Sequence, residues 1–230
     1  MKILALETSA KAVSAAVVED GRVLCSGYQD TGLTHSCTLM PIVEGILRNT
    51  GMTIADCDAI AVAVGPGSFT GIRIGVSAAK GLAFGADRPV VGVSTLAAMA
   101  RNVAHVDGLV ICAMDARRQQ VYNALFQAKD GQLTRLTEDR AISLEDLASE
   151  LKNYDLPKII VGDGAQLCYN YLSEQEIICR MAPPHLIMQN AMSVALEAES
   201  AALRGETVSA QELQPFYLRP PQALRLKDRA

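Results

Sequence analysis

The sequence predicts an α/β fold in which one structural unit occurs twice. Three observations support this. Each half of the chain opens with three short β-rich runs, a helical pattern follows them, and buried strands then alternate with further helices. The predicted order of elements in each half is therefore βββαβαβα. An antiparallel meander that leads into alternating strands and helices predicts a mixed sheet covered by helices in each half.

The first half starts with three strands. The runs ILALETS, AVSAAVVE and RVLCSGY follow one another from Ile3, and Asp20-Gly21 joins the last two as a strong hairpin turn. The later elements are a helix over residues 36–50 that ends at Gly51, a strand at 59–64, a glycine-rich helix, a strand at 89–93 and a helix that opens at Ser94.

The second half repeats this order. LVICAMD is a strand at 109–115, and Asp130-Gly131 joins the strands QVYNALFQ and QLTRLTE. Ser143, with Asp146 three residues later, opens the next helix as a variant of the capping box. The remaining elements are a strand at 158–162, a helix at about 165–173, the short strand IICRM and a helix at about 187–204 that Gly205 ends.

This repeat divides the chain into two lobes with a cleft between them. The first lobe is predicted to span residues 1–106 and the second residues 107–215. The tail, residues 216–230, contains Pro220 and Pro221, which cannot continue the last helix. We expect the tail either to cross back to the first lobe or to remain loose.

Composition narrows the function classes. Half of the 230 residues are apolar, but no apolar run reaches the roughly 20 residues of a membrane span, and MKILALETSA lacks the features of an export signal. We expect a soluble, cytoplasmic protein without a membrane contact. The six cysteines form no Cys-x-x-Cys pair and are expected to be reduced core thiols.

The charge balance argues against a broad nucleic-acid surface. The net charge is −4 and the sequence pI is about 5.4. Two small basic clusters stand out, Arg117-Arg118 and the tail from Arg219 to Arg229. Each is either solvated surface charge or a local contact with RNA, and the sequence leaves both readings open.

The stretch AVAVGPGSFTGIRIGVSAAKGLAFG places many glycines between a strand and a helix. The spacing Gly65-x-Gly67-x-x-x-Gly71 fits neither a P-loop nor a dinucleotide-binding loop. Ser68 is a candidate helix N-cap. Gly71, Gly75 and Ala79 recur every four residues, although a glycine inside a helix costs about 1 kcal/mol relative to alanine. Small residues at this spacing predict close packing on the protein's own sheet, on another subunit, or on both.

This stretch, together with MKILALETSAKAVSAAVVEDG and MDARRQQVY, resembles the bacterial TsaB family, also called YeaZ. The resemblance covers the whole chain and is looser from about residue 170. It implies a duplicated actin-like fold of the ASKHA, ribonuclease H-like type. It also implies a part in the threonylcarbamoyl modification of the adenosine next to the anticodon, in tRNAs that read codons beginning with adenine.

The resemblance further implies a scaffold role without an active site or cofactor. Family members look like diverged copies of the transferase TsaD, and they pair with TsaD and with the ATPase TsaE. A homodimer is expected when the partner is absent, and the chain is expected to contact tRNA only through the complex. TsaD carries two metal-ligand histidines four residues apart, and Thr95 and Met99 occupy the matching positions here, so no metal site is expected.

The resemblance places the partner surface on residues 36–50 and 68–85. The first helix carries more apolar side chains than one core-facing stripe needs, and Arg73 is either an interface residue or a solvated charge. Gly75→Leu is expected to abolish partner binding and leave the fold intact. The candidate interface residues are Leu39, Val43, Ile46, Ser68, Gly71, Arg73, Gly75 and Ala79.

The alternative function is an ATP-dependent small-molecule kinase or ATPase that uses the cleft. Gly162 and Gly164 are its weak nucleotide-binding candidates, and Asp163 between them is expected to repel phosphate. Glu7 and Asp115 are the two carboxylates whose strand-end positions would suit a catalytic pair. A metallopeptidase is poorly supported because the three histidines form no ligand motif.

Overall fold

The computed structural model describes residues 1–219, and its first half builds a five-stranded mixed sheet. The strand order is β3-β2-β1-β4-β5, with β1 antiparallel to β2 and parallel to β4. A short 3-10 helix precedes β4. The elements are β1 (Lys2–Glu7), β2 (Val13–Glu19), β3 (Arg22–Gln29), α1 (His35–Thr50), β4 (Ala59–Gly65), α2 (Phe69–Ala86), β5 (Val90–Ser94) and α3 (Thr95–Arg101).

The second half builds a six-stranded sheet of the order β11-β10-β6-β7-β8, with β9 also paired to β7. The element order confirms the predicted duplication, and β9 is an additional strand that the sequence pattern did not predict. The elements are β6 (Gly108–Asp115), β7 (Gln120–Lys129), β8 (Gln132–Arg135), β9 (Arg140–Ser143), α4 (Leu144–Leu151), β10 (Lys158–Val161), α5 (Ala165–Glu174), β11 (Arg180–Met181) and α6 (Ala191–Leu203).

Side-chain caps set several helix starts as expected. The hydroxyl oxygens of Ser94 and Ser143 accept from the backbone N–H groups of Ala97 and Asp146. Gly51 ends α1 in the left-handed region, with φ of 66°, and its N–H donates to the Arg48 carbonyl. The last helix begins at Ala191 and not at about residue 187 as expected. Its N-cap is Asn190, whose side-chain oxygen accepts from the Ser193 N–H.

Four packed layers of side chains cover the two sheets. Helices α1 and α2 cover the outer face of the first sheet, and α4 and α5 cover the outer face of the second. Helix α3 packs on the inner face of the second sheet, and α6 packs on the inner face of the first. Both α1 and α2 therefore lie on the side of the first sheet that faces away from the second sheet.

Helix α6 returns the chain to the first lobe. Its alanines pack against Ala5, Ala61 and Ala63 of the first sheet, and these small side chains allow a close approach of helix and sheet. Residue 208 then bridges to Val90 of β5, and Leu213 enters the core beneath α2. The second lobe, predicted over 107–215, thus gives its last helix to the core of the first lobe.

Phe216 continues this return, since its N–H donates to the Val64 carbonyl at 2.8 Å. The start of the predicted tail therefore packs on the first lobe, and the rest of it lies outside the described residues. Among residues 1–219, no helix has the length and apolar character needed to cross a membrane. Cys57, Cys112 and Cys168 are buried, whereas Cys37 is exposed, so not every thiol belongs to a core.

Candidate functional site

A groove runs between the N-terminal halves of α1 and α2 on the outer side of the first sheet. Its volume is about 480 Å³, and both helices contribute apolar and polar side chains. The N-terminal halves of the two helices therefore lie close to each other. The groove is lined by His35, Ser36, Leu39, Met40, Phe69, Thr70, Arg73, Ile74, Ser77 and Ala78.

The start of α2 is tied to the turn between β1 and β2. The Ser68 hydroxyl oxygen accepts from the Gly71 N–H at 3.3 Å, which confirms Ser68 as the N-cap. The Ser68 N–H donates to the Ser9 carbonyl at 2.7 Å. The Thr8 hydroxyl donates to the Gly71 carbonyl at 2.7 Å. The first turn of α2 is thereby fixed against buried backbone.

The predicted interface glycines face this turn and not a partner. A Cβ on Gly71 would lie 2.1 Å from the Thr8 carbonyl oxygen, and a Cβ on Gly75 would lie 2.3 Å from the Thr8 hydroxyl oxygen. Ala79 is fully buried in the same core. The assignment of Gly71, Gly75 and Ala79 to the partner surface is therefore wrong, and so is the expectation that Gly75→Leu leaves the fold intact.

The predicted interface residues of α1 need the same correction. Leu39, Val43 and Ile46 are 1%, 1% and 3% exposed and belong to the core between α1 and the first sheet. The edge of Leu39 lines the floor of the groove. The apolar surplus of α1 is instead on its two flanks, where Met40 lines the groove toward α2 and Ile42 lies against β3, both half-buried. Which surface binds a partner stays a prediction, but these three side chains cannot form its outer contact.

Arg73 lies on the outer side of α2 within a small stack. Its guanidinium carbon is 3.8 Å from the centre of the Phe69 ring, and its Nε donates to the Tyr217 hydroxyl at 3.0 Å. The rings of Phe69 and Tyr217 are 4.9 Å apart. Arg73 is therefore held over the groove and is not a freely solvated charge. No local sequence pattern indicates a role for Tyr217, because its return to α2 depends on the path of α6.

The outer face of α2 also carries small residues. Ser77 is exposed, and a Cβ placed on Gly81 or Gly85 would meet nothing within 4 Å among the described residues. Phe84 is 72% exposed near the end of the same face. Helix α2 thus has one stripe of small residues against the sheet and a second that is open.

The second candidate region is the carboxyl end of β1, where Glu7 lies. Glu7 is 1% exposed, and one of its carboxylate oxygens accepts from the Ser9 N–H at 2.5 Å. The pKa of Glu7 is raised from 4.5 to about 7, mainly by burial; the hydrogen bonds from Ser9 oppose this rise, and the Asp163 carboxylate adds a smaller contribution to it. The other Glu7 oxygen has no hydrogen-bond partner among residues 1–219.

The carboxylate that acts on Glu7 is Asp163 and not the expected Asp115. Asp163 accepts from the side-chain amide of Gln189 at 2.9 Å, and burial raises its pKa. It does not cap the following helix, since Gly164 occupies the N-cap position. Asp115 is exposed, and its side chain accepts from the Arg117 N–H at 2.7 Å. The contribution of Gln189 was missed, because a lone glutamine in a predicted helix carries no sequence signal.

In the turn at residues 162–164 of the second half, the glycine amides are hydrogen-bonded to backbone carbonyl groups of the chain. The Gly162 N–H donates to the Ile187 carbonyl at 2.7 Å and the Gly164 N–H to the Ala113 carbonyl at 3.0 Å. A Cβ on Gly162 would lie 2.1 Å from the Ala113 carbonyl oxygen. The Gly164 amide therefore bonds to β6 and the Gly162 amide to the segment before α6, so both are engaged and are poor donors to phosphate.

The positions of Thr95 and Met99 are buried at the start of α3. Thr95 is 0% exposed, and its hydroxyl has no hydrogen-bond partner among the described residues, while Met99 is 1% exposed. The Met99 sulfur lies 3.0 Å from the place where a Gly162 Cβ would be. Across residues 1–219, no group of three or more His, Cys, Asp or Glu side chains has the arrangement of a metal site.

Comparison with known proteins places these features in a family. A family model described as TsaD, tRNA N6-adenosine threonylcarbamoyltransferase, matches residues 29–225. The chain is 32% identical over 222 residues to the tRNA threonylcarbamoyladenosine biosynthesis protein TsaB of Escherichia coli, covering 95% of each. The chain belongs to the TsaB family. The TsaB protein of Bacillus subtilis is 39% identical over 167 residues, which is 73% of each chain.

Solved structures support the same assignment. A Pseudomonas aeruginosa protein described as similar to the peptidase YeaZ superposes with a TM-score of 0.83 at 31% identity, covering 95% of this TsaB-family chain and 99% of that chain. A ROK hexokinase from Thermus thermophilus and component A of an (R)-2-hydroxyglutaryl-CoA dehydratase each reach a TM-score of 0.51 at 14% and 12% identity. The last two show the fold alone, and the predicted actin-like fold is confirmed.

Proposed function

We propose that this chain acts in tRNA threonylcarbamoyladenosine biosynthesis as a non-catalytic subunit. It binds a TsaD-like transferase through the groove and outer face of α1 and α2, and a TsaE-like ATPase joins the pair. The chain meets tRNA only through this complex, in the cytoplasm. The observation that carries the proposal is the outward surface of α2, which combines the groove, an anchored arginine and an open stripe of small residues in a member of the TsaB family.

The chemistry of the outer surface suits a helical partner. Ser77, Gly81 and Gly85 project little beyond the helix backbone, so another helix can approach closely. Phe84 supplies exposed apolar area, and Arg73 supplies a fixed cation at the other end of the face. Aromatic and arginine side chains are enriched at protein interfaces.

The partner is expected to present a similar surface. The TsaD family model matches most of this chain, so a TsaD-like protein shares its fold and has helices equivalent to α1 and α2. Two related surfaces can pair about an approximate two-fold axis, and two identical ones can pair about a true axis. The same face therefore accounts for a homodimer when the transferase is absent.

The cleft supports a non-catalytic role. The glycine amides that would receive phosphate donate to carbonyl groups of the chain, and the buried acidic side chains of Glu7 and Asp163 supply no positive charge for an anion. Glu7 also uses the Ser9 amide of the β1–β2 turn. Each group that a nucleotide phosphate would need at these two turns is therefore engaged or of the wrong charge.

Light scattering during size-exclusion chromatography tests the partner surface. The chain alone should elute as a dimer, and addition of its organism's TsaD-like transferase should give a mixed complex. Ser77→Arg places a bulky cation in the groove and should abolish the mixed complex. Ser173→Arg is the matched control, since Ser173 is exposed on α5. Equal complex formation by both variants would contradict the proposed surface.

Calorimetry tests the kinase or ATPase alternative. Titration of the purified chain with ATP and magnesium at millimolar concentration should give no saturable heat. Saturable binding that is lost on changing Gly164 would favour the alternative, and the cleft would then be the functional site.

A further inference from the structure

Within residues 1–219, three hairpin turns use left-handed backbone, but only two of them use residues suited to it. The β2–β3 turn has Asp20 and Gly21 at φ of 49° and 75°, and the β7–β8 turn has Asp130 and Gly131 at 51° and 74°. In the β6–β7 turn, Arg117, Arg118 and Gln119 lie at φ of 63°, 56° and 56°. These long side chains are unfavourable in this region, so the third turn is strained where the others are relaxed.

The surrounding structure holds the strained turn in one conformation. The Ala116 N–H donates to the Gln120 carbonyl at 3.0 Å, and the Gln120 N–H donates to the Arg117 carbonyl at 3.2 Å. The Gln119 carbonyl accepts from the Leu144 N–H at 3.2 Å, which ties the turn to the start of α4. The Asp115 carboxylate accepts from the Arg117 N–H. The backbone of the turn that carries both arginines is thereby held in place.

The strained turn also gathers positive charge. Arg117 and Arg118 are exposed, and neither side chain has a hydrogen-bond or ion-pair partner within residues 1–219. Arg219 reaches the turn from the C-terminal segment, where it donates to the Ala116 carbonyl at 3.0 Å and to the side chain of Gln120. Its guanidinium lies 5.6 Å from the centre of the Tyr122 ring.

We propose that the β6–β7 turn, with Arg117, Arg118 and Arg219, is a contact site for the phosphate backbone of RNA. The inference rests on the proposed function, which supplies tRNA as the ligand. Guanidinium groups bind phosphate oxygens in a bidentate manner, and two exposed arginines on a fixed turn can contact adjacent phosphates. The negative net charge of the chain means that this contact is local and does not steer RNA from a distance.

The backbone strain favours a ligand over simple solvation. An Asn-Gly or Asp-Gly turn would satisfy the fold at lower cost, as the other two hairpins show. Exposed charge alone would need no fixed geometry. The arginines and the left-handed conformation together are explained if the turn presents both guanidinium groups to one anionic surface.

The test uses the assembled mixture of this chain, the transferase and the ATPase with fluorescently labelled substrate tRNA. The double variant Arg117→Asn with Arg118→Gly places residues suited to left-handed backbone at two of the three strained positions, leaves Gln119 as it is, and removes both charges. We expect it to melt at the same temperature as the natural protein or higher, and to bind tRNA about 3- to 10-fold more weakly near 150 mM salt. The slope of log affinity against log salt should fall by about 1 to 2. Arg22→Asn, at another exposed hairpin, is the control and should change neither the affinity for tRNA nor its salt dependence.

Three results would overturn the inference. If the double variant binds tRNA within twofold of the natural protein, the turn does not contact phosphate. If light scattering shows that this variant still forms the complex, the proposed function is unaffected by that result. Loss of the mixed complex by the double variant would instead assign the turn to a protein partner. A natural mixture that binds tRNA no better than the partners without this chain would also exclude the site.

Discussion

The two faces of α2 use the same kind of residue for different purposes. On the inner face, Gly71 and Gly75 are needed because the backbone and side chain of Thr8 occupy the space where a Cβ would lie. On the outer face, Gly81 and Gly85 border open space. A glycine that the fold requires and a glycine that it does not require thus stand only six residues apart on one helix.

The difference shows that residue spacing alone cannot assign a small-residue stripe. The interior glycines each cost about 1 kcal/mol in helix propensity, and the inner pair offsets this cost by allowing the β1–β2 turn to approach α2. The outer pair has no such compensation within residues 1–219. In our account, the outer pair is compensated by a partner helix, and this contrast can be tested by substitution.

The largest expected effect is on the inner face. Gly71→Ala should lower the free energy of unfolding by about 3 kcal/mol or more, since the added Cβ would meet a backbone carbonyl oxygen that cannot move aside easily. Urea denaturation measures this change. A loss below about 1 kcal/mol would mean that the turn can shift, and the contrast between the faces would be weaker than proposed.

A pH titration probes the buried turn beneath the same face. Folded Glu7 keeps its proton up to about pH 7, whereas the unfolded chain releases it near 4.5, so stability falls as the pH rises between these values. Glu7→Gln removes this loss and should be more stable than the natural protein by roughly 3 kcal/mol at pH 8, with little difference at pH 4. Thermal or urea denaturation at both pH values measures the difference.

Equal stabilities at pH 8 would contradict the burial of an ionisable Glu7. A variant that is less stable at both pH values would instead mean that the second, unpartnered oxygen has a hydrogen-bond donor.

A smaller effect is expected from the hydroxyl that supports α2. Thr8→Val keeps the shape of the side chain and removes the hydrogen bond to the Gly71 carbonyl, which should cost about 1 kcal/mol. Thr38→Val is a suitable control, because the Thr38 hydroxyl bonds only the carbonyl of Thr34 within its own helix end. If Thr8→Val leaves the free energy of unfolding unchanged, packing alone holds the β1–β2 turn against α2.

The smallest stability effect is expected on the outer face. Gly81→Ala adds a Cβ into open space and should stabilise the isolated chain by up to about 1 kcal/mol through helix propensity. Differential scanning calorimetry of the dilute protein measures it. A loss of stability would show that the outer face is already packed.

The order of the elements could be predicted from the sequence because local signals mark most boundaries. Asp-Gly turns, serine caps and Gly51 each act within a few residues, and all of them lie where expected. Strand β9 was missed because Arg140–Ser143 is short and no turn signal precedes it. The late start of α6 was missed because the Asn190 cap is a weaker pattern than the apolar run before it.

The sequence predicts which helices carry the candidate surface, but it does not predict which of their faces points outward. Arg73 and Ser68 lie on the surface of the expected helix, whereas Leu39, Val43 and Ile46 face the core. A helix with small residues on both faces gives no hydrophobic contrast, so the sequence could not tell which face meets the sheet. Tyr217 and Gln189 act through contacts that form only after α6 returns to the first lobe, and no local pattern contains that information.

The docking of a partner helix on the outer face of α2 is best tested by the affinity of the Gly81→Leu variant for the TsaD-like transferase. Leucine on this face should not lower the urea midpoint of the dilute isolated chain and should raise it slightly, since its Cβ enters open space and leucine favours a helix over glycine. The same side chain should weaken transferase binding by about tenfold or more in calorimetry, because it would keep a partner helix from close approach. An unchanged affinity in a variant that is at least as stable as the natural protein would show that the outer face of α2 is not where the partner docks.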